Sequence, residues 1–123
     1  MTPSQIISAE FARRGHDPAQ ALHWVHGLLT NKKASLLQHG DSVLLAIKLG
    51  DHDVEVHLYT QDKPMAIVRA VKHFMKEIVK SHIKRVYGKA DNEHIVNLMK
   101  SVGVKVKKSD KPQYNWMALT GDH

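Results

Sequence analysis

The stretch from Val54 to Val104 constrains the fold more than any other part of the chain. Val54, Val56 and Leu58 alternate with Glu55, His57 and Tyr59, the period of a strand with one face on a core and the other half-exposed. After the polar turn Thr60-Gln61-Asp62-Lys63 the period changes. Ile67, Val68, Val71, Phe74, Met75, Ile78 and Val79 recur at helical spacing, with Arg69, Lys72, Lys76, Glu77 and Lys80 opposite them. Pro64 opens this helix where a missing N–H costs nothing. A second strand, Ile83 to Tyr87, and a second helix, Asn92 to Val102 with Asp91 as a candidate N-cap, complete a β-α-β-α unit that ends at Gly103.

The flanks add layers to this unit. Thr2-Pro3 and Asp17-Pro18 are cap-and-proline starts for two helices, one carrying Ile6, Ile7 and Phe11, the other Ala21, Leu22, Val25, Leu28 and Leu29. Ala34 to Gln38 reads as a short strand, and His39-Gly40-Asp41 as a tight turn with glycine at positive φ. Ser42 to Leu49 is almost continuously apolar, as in a strand covered on both faces. With Val54 to Tyr59 these strands form an antiparallel meander. Val104 to Lys107, a polar loop from Ser109 to Gln113, and Tyr114 to Leu119 supply two last strands. The expected fold is one α/β domain over 1–123, in the order α-α-β-β-β-α-β-α-β-β. Its mixed central sheet, a meander plus a parallel pair, is flanked by helices.

Composition narrows the function classes. With 42% apolar and 24% charged residues the chain matches a globular domain, and 123 residues bury a core without staples. No apolar run approaches the roughly 18–20 residues that span a bilayer. No signal-peptide pattern stands at the N-terminus, so the expected location is cytoplasmic. The absence of cysteine excludes disulfides and thiolate metal sites. A net charge of +6 suits either a solvated lysine surface or a polyanion partner.

The element order resembles the GNAT N-acetyltransferase fold without its first strand. The most specific match is the segment 92–104, where Asn92 precedes an apolar helix and Gly103 follows eleven residues later. Family members place a glycine-phenylalanine pair at that spacing; here Val104 stands for the phenylalanine. The chain also resembles the small internal virion proteins of short-tailed phages, which carry a degenerate GNAT-like domain. That likeness rests on the basic long helix, the short strand after it and the helix that ends in Val102-Gly103-Val104. It implies a location in the virion and the host cytoplasm, with other phage proteins as partners.

The resemblance also says which residues acetyl transfer would need. The backbone of Val56 and Leu58 would grip the pantetheine arm of acetyl-CoA, and Asn92 is a further cofactor candidate. The family's Arg/Gln-x-x-Gly-x-Gly/Ala loop corresponds to Gln61-Asp62-Lys63-Pro64-Met65-Ala66. Gln61 and Ala66 keep the two ends of the motif, and Lys63 supplies a positive charge. Pro64 removes one of the N–H groups that would hold a diphosphate, and Asp62 brings a like charge to it. The family's proton-donating tyrosine falls at Met99, which has no proton to give; Tyr87 and Tyr114 are the available substitutes. Glu55 and His57, two apart on one strand face, are candidates for the general base. His23 with His26, and His52 with His57, lack a third ligand, so no metal site is expected.

Three function classes follow. The leading one is a virion-associated structural or ejection accessory protein that has lost acetyl transfer and needs no cofactor. The second is an acetyl-CoA-dependent N-acetyltransferase. The third is a polyanion- or nucleic-acid-binding module, in which a basic edge (Lys80, His82, Lys84, Arg85, Lys105, Lys107, Lys108, Lys111) meets phosphates and Tyr114 and Trp116 stack on bases.

Overall fold

The computed structural model describes residues 1–89 and 93–120. Helices α1 (Pro3–Arg13) and α2 (Pro18–Thr30) precede three strands, β1 (Ala34–His39), β2 (Ser42–Lys48) and β3 (Asp53–Thr60). Helix α3 (Pro64–Lys80), β4 (Arg85–Gly88), α4 (Glu93–Ser101), β5 (Lys105–Lys108) and β6 (Trp116–Leu119) follow. This is the expected element order. Asp91 and Asn92 lie outside the described residues.

The six strands form one mixed sheet in the order β1-β2-β3-β4-β6-β5. β3 and β4 run parallel, and every other neighbouring pair is antiparallel. The β1–β2 turn has Gly40 at φ 58, the conformation a two-residue hairpin asks of its first position. β2 is buried from Ser42 to Ile47 because helices cover both of its faces. Leu44 and Ala46, with Val54, Val56 and Leu58, face Phe74, Met75, Ile78 and Met99 of α3 and α4. Val43, Leu45 and Ile47, with Tyr59, face Ile6, Ile7 and Val25 of α1 and α2. The sheet is therefore the middle of three layers.

β3 keeps the alternation read from its sequence: Val54, Val56 and Leu58 are buried, while Glu55 and His57 on the other face are partly exposed. Tyr59 at its end departs from the pattern, because α1 and α2 cover it.

The β3–α3 connection is tied to the β1–β2 turn. Asp62 accepts hydrogen bonds from the Asp41 N–H (3.1 and 3.2 Å to its two oxygens) and from Ser42 Oγ at 2.6 Å. Ser42 Oγ also lies 2.7 Å from Thr60 Oγ1, which accepts from the Asp62 N–H. Ser42 is wholly buried. A carboxylate held by two donors in a partly buried place stabilises more than a neutral bond does. Asp62→Ala is expected to lower stability by roughly 1.5–3 kcal/mol in denaturant unfolding. A loss within the scatter of ordinary surface substitutions would mean that the knot carries no load.

Candidate functional site

The parallel pair opens partway along its length. β3 pairs with β4 only at Asp53, Val54 and Glu55, opposite Arg85, Val86 and Tyr87. Gly88 stays in register with Trp116 of β6 but has left β3, and Val56 to Thr60 run on past the end of β4. Backbone direction follows from the bonds at either end. The Asp53 C=O accepts from Leu49, and the Gln61 N–H donates to Asp41, so odd-numbered residues of β3 turn toward β2. The His52 C=O accepts from Lys84 and Arg85 on the other side. Val56 and Leu58 therefore turn their backbone groups toward the gap.

On the α1/α2 side the gap continues into a cavity of about 350 Å³. Glu55, His57, Tyr87 and Tyr114 all line it, beneath Phe11 and Trp24. The general-base pair and the two candidate tyrosines thus share one wall. Glu55 is the hub: its Oε2 lies 2.9 Å from His57 Nε2, and its charge also bears on the Tyr114 hydroxyl. Tyr87 packs at a tilt against Tyr114 with centroids 5.4 Å apart, and its hydroxyl donates to Asp110 at 2.8 Å. His57 stacks on Tyr59 and meets the edge of Trp24. Phe11 and Trp24 were not legible as site residues, because one is part of an ordinary helical stripe and the other has no motif around it.

The chemistry of these phenols is set by burial. Burial first, then the charge and hydrogen bond of Glu55, push Tyr114 up to about 12. Burial first, then the hydrogen bond and charge of Asp110, push Tyr87 up to about 12 as well. Both are full-time hydrogen-bond donors at neutral pH, and both are poorly matched to proton transfer there. A folded-state value above the unfolded 10 means that the native state holds the proton more tightly. Their contribution to stability is then complete below pH 10 and is lost as pH rises from 10 toward 12. Tyr114→Phe should remove one of the late phenolate transitions seen by ultraviolet absorbance and flatten the fall in melting temperature over that range. A Tyr114 that ionises near pH 10 would contradict the burial.

On the α3/α4 side the gap is closed. Val56, Leu58, Ile95, Met99 and Trp116 close around a cavity of about 20 Å³, room for about one water. Trp116 is buried, lies against Gly88 and donates Nε1–H to the Lys89 C=O at 3.2 Å. It is thereby removed from any role in stacking on bases.

The remaining cofactor candidates are placed as follows. Gln61 donates its side-chain amide to Glu10 and to its own strand's Thr60 C=O (3.0 Å each). Lys63 is the exposed N-cap of α3 and makes no capping bond with its side chain; Ala66 lies in the first turn. Asp62, bonded to the β1–β2 turn, is not free to face an anion at the helix start. Asn92 is outside the described residues. Gly103, at φ 86, ends α4, with the Val104 N–H donating back to the Met99 C=O.

The basic edge is only partly assembled. Lys105, Lys107 and Lys108 are exposed on β5, the last strand of the sheet, where lysines also block edge-to-edge pairing. Arg85 is bound to Asp53 at 2.8 Å, and Lys111 sits over the Tyr87 ring. Among the described residues no three His, Asp or Glu side chains converge as a metal site, and no helix is long and apolar enough to cross a membrane.

The fold and site define an α/β protein of three layers whose parallel strand pair opens over an aromatic cavity. Comparison with protein-family models, curated proteins and solved structures finds no match to this chain.

Proposed function

We propose that this chain is a GNAT-like scaffold without acetyl-transfer chemistry, serving as a structural or ejection accessory protein in the virion of a short-tailed phage. The observation that carries the loss of chemistry is the filled α3/α4 side of the gap. A pantetheine arm would need the space that Leu58, Met99 and Trp116 occupy, where about 20 Å³ remains. Two further features support it. Pro64 withdraws an N–H from the first turn of α3, and Met99 is a buried core residue, not a proton donor. The residues present do not fit acetyl-CoA. Support for a phage origin is the sequence resemblance of the basic helix and the 92–104 segment; the partners would be other virion proteins.

One observation favours a second reading, an N-acyltransferase. Glu55 and His57 form a hydrogen-bonded pair facing a cavity of about 350 Å³ beside the open edge of β3. Glu55 could take a proton from an amine there, directly or through water. Incubating the protein with acetyl-CoA and a panel of polyamines and lysine peptides, followed by mass spectrometry, separates the two. No acetylated product above the uncatalysed background is expected. Product formation that Glu55→Gln abolishes would establish the second reading.

A further inference from the structure

Away from the aromatic cavity, a groove of about 600 Å³ runs along α3 where it meets the end of α4 and the start of β5. Its floor is apolar: Met75 and Val79 from α3, Val102 and Val104 from the α4–β5 connection. Val79 is 51% exposed, an apolar side chain with nothing over it. Lys72, Lys76 and Lys80 form the α3 rim. They stand at i, i+4 and i+8, so their stems project from one side of the helix about 6 Å apart.

This rim is paired with no carboxylate. None of the ion pairs among the described residues includes these lysines. Glu77, the one carboxylate of α3, neighbours the rim only at its Lys80 end, three residues away, and makes no ion pair there. Like charges four apart on a helix repel, and Lys72 and Lys76 have no carboxylate three or four residues away on α3. An apolar floor beside a cationic rim with a helical repeat matches one chemistry. An amphipathic helix laid along α3 would put leucine-like side chains on Met75, Val79, Val102 and Val104, and carboxylates at its own i, i+4 and i+8 opposite the lysines. A nucleic acid would satisfy the rim but leave the floor uncovered.

We propose that the α3–α4 groove is a docking site for an acidic amphipathic helix of a partner protein. It shares no residue with the aromatic cavity, so it holds whether or not the chain transfers acyl groups.

The test uses fluorescence anisotropy with the full chain and a labelled helical peptide that has glutamates at i, i+4 and i+8 beside a leucine stripe. Saturable binding is expected, weakening as salt rises. The variant K72Q/K76Q/K80Q should weaken it by about tenfold or more, equivalent to ~1.4 kcal/mol. Val79→Ser should weaken it as well. All four positions are exposed, so circular dichroism should show these variants folded. Three results would each overturn the proposal: no saturable binding, unchanged affinity in the folded triple variant, or equal affinity for a peptide with serine in place of leucine. Oligothymidine that binds as tightly and competes with the peptide would reassign the rim to phosphate and equally sink it.

Discussion

Trp116→Ala is expected to cost ~3–5 kcal/mol, the range for removing a buried tryptophan or phenylalanine from a packed core. Trp116 is 5% exposed and belongs to the cluster of Val56, Val86, Ile95 and Met99 on the α3/α4 side of the sheet. Its loss also strips the Lys89 C=O of a donor. The cavity left behind would open the place where β3 and β4 separate, since this indole is what fills it. Denaturant unfolding measures the cost. A change below ~1 kcal/mol, the size of a typical single substitution, would mean that the gap is not closed by this side chain.

Gly88→Ala is expected to be nearly as damaging for the opposite reason. A Cβ at Gly88 would overlap Cζ2 and Cε2 of Trp116 and lie 2.7 Å from Cη2. The indole is held by its neighbours and its hydrogen bond, so it has no easy retreat. Overpacking of this kind costs roughly 3 kcal/mol, the upper part of its usual range. The two substitutions should be strongly coupled. With alanine at 116 the conflict disappears, and Gly88→Ala should then cost only a small fraction of its single-variant value. A double-mutant cycle should return an interaction of roughly 1–3 kcal/mol. Additive losses would show that Gly88 is required for some other reason than the indole above it.

Much of the fold was legible because local chemistry and tertiary packing agree. Pro64 and the apolar stripe from Ile67 to Val79 define α3 without help from distant residues, and the helix runs Pro64–Lys80. Gly40 marks the hairpin for the same reason. Strand ends were less legible. Ile83 and Lys84 look like strand residues, yet β4 begins at Arg85, because the parallel partner β3 itself begins at Asp53. Tyr114 likewise precedes β6, which starts at Trp116 opposite Gly88. Strand limits are set by the neighbour, and a single strand's residues do not contain them.

The candidate site was legible residue by residue but not as a place. Glu55 and His57 share a strand face by simple alternation, while Tyr87 joins them only through the β3–β4 pairing and Tyr114 only through the β4–β6 one. The most consequential feature could not be seen in the sequence. Trp116 reads as a terminal-strand aromatic, and only the register Gly88↔Trp116 lays it across the gap. A glycine in a strand signals close approach by something, but it does not say by what.

Calorimetric titration of the purified chain with acetyl-CoA tests the closed gap most directly. With Leu58, Met99 and Trp116 in place and Pro64 at the start of α3, no saturable heat is expected at neutral pH. Saturable binding in the low micromolar range, unaffected by the oligothymidine that would report a merely cationic surface, would contradict the closed channel.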